Sequence, residues 1–180
     1  MKPFILFCLL FATLFADAKI YFGAGGGGYY EAFEGSTDAK ASGKMIRLKA
    51  GYGDIDAYAI EFNLEMMEND SNIFSKSDGT KYGLNVELLK AFNLKTLFNP
   101  FFKVGFGSGY MDITGTLQKN IHYGSFNLGG GLFIPLNEWL DLEICYDYKY
   151  LTYEKVDIVT LTPSYESNSN TIYSGLNVRF

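Results

Sequence analysis

Leu140-Asp141-Leu142-Glu143-Ile144-Cys145-Tyr146-Asp147-Tyr148-Lys149-Tyr150 changes character at every residue. In an extended chain successive side chains point to opposite sides. Leu140, Leu142, Ile144, Tyr146, Tyr148 and Tyr150 therefore share one face, and Asp141, Glu143, Cys145, Asp147 and Lys149 the other. A helical period would scatter both sets around its circumference, so the stretch reads as a long two-faced strand.

The same alternation recurs on either side of it. Ile46, Leu48, Ala50 and Tyr52 oppose Arg47, Lys49, Gly51 and Gly53. After the turn at Gly53-Asp54-Ile55-Asp56, Tyr58, Ile60, Phe62, Leu64 and Met66 oppose Ala59, Glu61, Asn63 and Glu65. Tyr82, Leu84, Val86 and Leu88 oppose Gly83, Asn85 and Glu87, and Phe102, Val104 and Phe106 oppose Lys103, Gly105, Gly107 and Gly109. Phe126, Leu128, Leu132 and Ile134 oppose Asn127, Gly129 and Gly131, while Ile172, Leu176, Val178 and Phe180 oppose Gly175, Asn177 and Arg179. With an opening segment from Ile20 to Tyr30, eight strands result. Long polar loops, Glu34–Lys44, Asn69–Thr80, Asp112–Gly124 and Thr152–Asn168, follow the first, third, fifth and seventh strands. The remaining connections are short, except Lys90–Asn99, whose length the alternation does not explain.

Composition agrees with two opposite faces. The 180 residues are 48% hydrophobic and 17% aromatic, yet mean hydropathy is only +0.01. So many aromatics exclude a disordered chain, and a net charge of −5 argues against a nucleic-acid partner. Residues 1–18 read as a signal peptide: Met1-Lys2, an apolar run from Pro3 to Phe15, and Ala16-Asp17-Ala18 as the cleavage site. The domain is then 19–180, with Cys145 as its one cysteine and no internal disulfide.

Alternation leaves open which face lies inside. Three features choose a membrane barrel over a soluble sandwich. The polar face is rich in Gly, which suits a crowded lumen. The segments run about 9–11 residues, the length of a tilted membrane-crossing strand. Aromatics collect near segment ends (Tyr21, Tyr29, Tyr30, Tyr52, Tyr58, Tyr82, Tyr110, Trp139, Tyr148, Tyr150), as interfacial girdles require. Sixteen strands of about ten residues would leave nothing for loops, which excludes a wide porin made of one copy. The expected fold is all-β, an eight-stranded antiparallel up-and-down transmembrane β-barrel.

Tyr173-Ser174-Gly175-Leu176-Asn177-Val178-Arg179-Phe180 resembles the terminal assembly signal of Gram-negative outer-membrane barrels. Asn99 to Gly107, Phe126 to Leu132 and Trp139 to Tyr150 resemble strands of the OmpA-like and opacity-type small barrels of the porin family. The resemblance implies residence in the outer membrane among its lipid and lipopolysaccharide. It also implies recognition of Leu176, Val178 and Phe180 by the barrel-assembly machinery.

The predicted inward set holds Arg47, Lys49, Lys103, Lys149 and Arg179 against Glu61, Glu65, Glu87, Asp141, Glu143 and Asp147. Eight strands enclose an interior just wide enough for side chains to fill, so these charges must pair. They read as a structural plug, with a narrow channel for small solutes as the alternative.

Enzyme signals are weak. Gly23-Ala24-Gly25-Gly26-Gly27-Gly28 has nucleotide-loop spacing but no following helix to hold a phosphate. A lipid A-modifying esterase would need Ser where Gly124 stands, and His122 and Ser125 fall on opposite faces. No His/Cys/Asp cluster has metal-ligand spacing, and no cofactor is implied. The expected role is structural and adhesin-like, with four loops outside and both termini in the periplasm. The apolar residues of the last loop (Tyr153, Val156, Ile158, Val159, Leu161, Tyr165) are the candidate surface for host or other surface ligands.

Overall fold

The computed structural model describes residues 18–34, 39–54, 57–69, 73, 78–113, 120–154 and 166–180. The leader lies outside them up to Ala18, as do the middles of the four long loops. Eight strands follow in order: β1 (Lys19–Glu34), β2 (Lys40–Gly53), β3 (Tyr58–Met67), β4 (Asp78–Ala91), β5 (Asn99–Ile113), β6 (Asn120–Pro135), β7 (Leu140–Tyr153) and β8 (Glu166–Arg179). Each pairs antiparallel with its sequence neighbours, and β8 pairs back onto β1, closing the barrel. Closure leaves no strand edge, the condition for a sheet to stand in lipid.

The register fixes the tilt. Starting at Ala24 and stepping through partners Leu48, Leu64, Leu84, Ser108, Gly124, Thr152 and Glu166, the ladder returns to β1 at Glu34, ten residues further along. Such a stagger inclines strands by about 35–45° to the barrel axis.

The outer wall between the two barrel ends is apolar. Phe22, Ile46, Leu48, Phe62, Leu64, Phe102, Phe106, Ile172 and Leu176 are all exposed there. Tyr52, Tyr58, Phe92, Trp139 and Phe180 ring the end where β1 begins and β8 finishes, and Tyr30, Tyr82, Tyr110 and Tyr150 the opposite end.

Two expectations need correction. Tyr21 and Tyr29 do not belong to a girdle: both are buried inside the barrel. They share the parity of Gly23, Gly25 and Gly27, and that parity outranks nearness to a segment end. Tyr21 fits because Gly51 faces it; a Cβ there would strike the tyrosine ring. Every strand but β3 also runs longer than 9–11 residues, reaching 16 in β1 and β6. Ladder pairing continues into what read as loop, because side chains there close over an apolar interior of their own.

Candidate functional site

Among the described residues, the lumen is where charged side chains gather. All eleven charged residues expected inside lie in it, and each makes an ion pair. Arg47 stands opposite Glu65 in register. Its guanidinium contacts Glu65, reaches Asp147 on the far wall at 2.7 Å and lies 4.1 Å from the centre of the Tyr173 ring. Lys149 crosses the lumen to the same Glu65. Lys103 lies 3.0 Å from Glu87 and 3.1 Å from Asp147. Lys49 sits 2.5 Å from Glu143 across the lumen and only 3.5 Å from Glu61 on the adjacent strand. Arg179 pairs with Asp141 at 2.7 Å near the terminal end.

Neutral groups complete the network. The Tyr21 hydroxyl donates to Glu61 at 2.7 Å, and Tyr173 donates to Glu143. Asn177 also donates to Glu143, at 2.9 Å, and Asn63 donates to Glu87 at 2.8 Å. Asn127 bridges Asn85 at 2.9 Å and Glu87 at 3.3 Å. Shared donors of this kind offset the desolvation that makes a lone buried charge so unfavourable. Glycines supply the room: a Cβ at Gly129 would collide with the Asp147 carboxylate and come within 2.7 Å of Lys103 Cε.

Sequence reading missed a second cluster nearer the loops. Lys81 pairs with Glu31, and Tyr153 and Ser167 donate to the same carboxylate at 2.7 and 2.6 Å. Both charges lie one residue beyond the segments read from alternation, although each is in phase with its strand: Lys81 with Gly83 and Asn85, Glu31 with Tyr29. Apolar groups packed toward each end of the lumen were missed too. Toward the termini, Phe101 and Phe133 stack at 4.4 Å beside Ala59, Leu89 and Ala91. Toward the loops, Phe33, Ala41, Met111, Ile113, Ile121, Leu151 and Tyr153 form a second cluster.

Other candidates separate. His122 is exposed on the outer wall, whereas Ser125 points inward and donates to Asn127. Cys145 is buried, its thiol donating to Asp147 at 3.2 Å.

Residues 4–180 match the family described as the outer membrane protein beta-barrel domain. The chain belongs to that family. No curated protein matches the sequence significantly. Among solved structures, this outer-membrane barrel is similar to Neisserial surface protein A, NspA (TM-score 0.64, 17% identity, 91% of this chain and 99% of that one). It is also similar to OprG from Pseudomonas aeruginosa (0.53, 11%, 90% and 96%). The third likeness is to Ail, the attachment invasion locus protein of Yersinia pestis (0.52, 13%, 89% and 98%). Identities this low speak for the fold, and the outer-membrane barrel's own function must come from its own residues.

Proposed function

We propose that this protein is a closed outer-membrane barrel whose work is done outside the lumen, by loops presented at the cell surface. Residues 1–18 are the export signal, the termini face the periplasm, and Leu176, Val178 and Phe180 form the signal read by the assembly machinery. The observation that carries the closed state is the packing of the lumen. Paired charges cross it from wall to wall, Phe101, Phe133, Leu89 and Ala91 pack toward the termini, and Met111, Ile113, Ile121 and Leu151 pack toward the loops. Among the described residues, cations and acids alternate across the lumen and give no continuous path of one charge sign, which does not favour a channel. Among the described residues, His122 and Ser125 lie on opposite faces of β6, which does not favour the esterase reading.

The loop that joins β7 to β8 is the favoured contact surface, for its sequence combines Val156, Ile158, Val159 and Leu161 with Glu154 and Asp157. The structure of Ail has been solved with the heparin analogue sucrose octasulfate. Loop sequences here carry acids beside their lysines, so a protein or other partly apolar partner suits them better than a polyanion. Deleting 154–166 leaves a folded barrel and lowers binding to host cells or surfaces; undiminished binding rejects the loop as the contact. In planar bilayers the pure protein gives at most small, rare conductance steps. Steady large currents overturn the closed-lumen reading in favour of the channel.

A further inference from the structure

One ladder row of the outer wall has a gap at its centre. Tyr58, Lys90, Phe102, Gly130 and Tyr146 are successive partners across β3 to β7, and Gly130 brings no side chain. The result is a groove of about 710 Å³ bordered by Leu88, Val104 and Leu128, well inside the about 300–1,000 Å³ of small-molecule sites. Because of the stagger, the row climbs from Tyr58, in the terminal-end ring, toward the middle of the apolar wall at Tyr146. The groove is therefore one leaflet deep.

Its lower end is cationic. The Lys90 ammonium lies 3.8 Å from the centre of the Tyr58 ring and 5.5 Å from that of Phe92, so the side chain turns down toward the interface, as lysines at a membrane edge do. The connection that follows carries Lys95 and exposes Phe92, Leu94, Leu97 and Phe98. Asn93 Oδ1 accepts from the Lys95 N–H at 2.9 Å, Thr96 Oγ1 donates to the Phe98 carbonyl at 2.9 Å, and Lys95 takes a left-handed φ of 55°. No Asp or Glu occurs from 88 to 111, although the chain as a whole carries −5. Apolar feet beside two lysines are the chemistry of a membrane interface that bears anionic headgroups.

We propose that this row and the connection beside it form a site for one anionic glycerophospholipid of the periplasmic leaflet. An acyl chain lies in the groove over Gly130, and the phosphate meets Lys90. The extra length of the Lys90–Asn99 connection then serves to seat the headgroup region. The site rests on the termini facing the periplasm, but neither bilayer conductance nor loop binding depends on it, so its failure leaves the proposed function standing.

The test is native mass spectrometry of the barrel purified in mild detergent and titrated with phosphatidylglycerol, phosphatidylcholine, lipid A or inorganic phosphate. One phosphatidylglycerol binds per barrel, about fivefold more tightly than phosphatidylcholine, as expected for one interfacial lysine. Lys90→Gln and Gly130→Leu each lower that affinity by about fivefold or more. A Cβ at 130 meets the Phe101 carbonyl at 3.3 Å and the edge of Phe102 at 3.4 Å, so a side chain there needs its neighbours to give by a few tenths of an ångström. A heat-shifted gel band verifies that each variant is folded, and Gly130→Ala, one methyl larger, gives an intermediate loss. Lys44→Gln, on the far wall, binds like the parent. Undiminished phosphatidylglycerol binding in either the Lys90 or the Gly130 variant overturns the site. So does a preference for lipid A, equal loss in Lys44→Gln, or displacement of the lipid by inorganic phosphate.

Discussion

Below the ring of Tyr30, Tyr82, Tyr110 and Tyr150 the barrel is apolar outside and charged within; above it the outer face turns polar, and the inner face gains an apolar cluster beside the Lys81–Glu31 pair. At the lower level Leu48, Leu64 and Phe106 face outward while Arg47, Glu65 and Lys103 are buried. At the upper level Lys40, Ser42, Glu68, Asn120 and His122 face outward while Met111, Ile113, Ile121 and Leu151 are buried. One continuous sheet thus obeys two solvents. In lipid, apolar side chains belong on the wall and the polar ones gather in the lumen. In water the usual hydrophobic order returns. The difference teaches that alternation is a property of the strand, whereas its sign is set by what surrounds that part of the strand.

The comparison breaks most visibly at Arg47. Arg47→Met leaves Glu65 and Asp147 short of a partner at the lower level, and refolding into lipid vesicles in urea should show a loss of about 3–5 kcal/mol. A loss under 1 kcal/mol would mean that water, and not pairing, stabilises the lumen charges.

The boundary itself is located by placing the same charge on one strand face at two heights. Leu48→Arg costs about 2–4 kcal/mol in the same assay, and Ser42→Arg about 0–1 kcal/mol. Equal costs would erase the distinction between wall and collar.

The smallest effect sharpens the upper level. Ile121→Val trims a buried methyl group and costs about 0.5–1.5 kcal/mol if the collar interior is packed like a soluble core. Maleimide labelling adds a kinetic check, since Cys145 should react only after the barrel is unfolded. Rapid labelling of the folded barrel would mean that the lumen admits reagents.

Much of this was legible in the chain. Period-two alternation gave eight strands, their order and the parity of Arg47, Lys103 and Glu143. Pairing of Arg47 with Glu65 was visible as well, since a single turn joins their strands. Lys49 shows the limit: its short contact is Glu143, on β7, whose distance from β2 around the lumen depends on closure and stagger. Lys81 and Glu31 escaped because composition marks a loop by its polarity. The collar has polar outer residues for another reason, its exposure to water. Tyr21 and Tyr29 were misplaced because aromatic character alone says nothing of which side a ring faces.

What the sequence by itself determined, then, is the strand count, the topology and the inventory of each face, since side-chain direction in a strand follows from covalent geometry alone. Only the tertiary structure decided which cation meets which acid, where the apolar groups pack relative to the charges, and that Gly130 opens a groove beside Lys90. Those relations join strands far apart in the chain, and a ten-residue stagger, held in the hydrogen-bond register of eight ladders, sets every one of their distances.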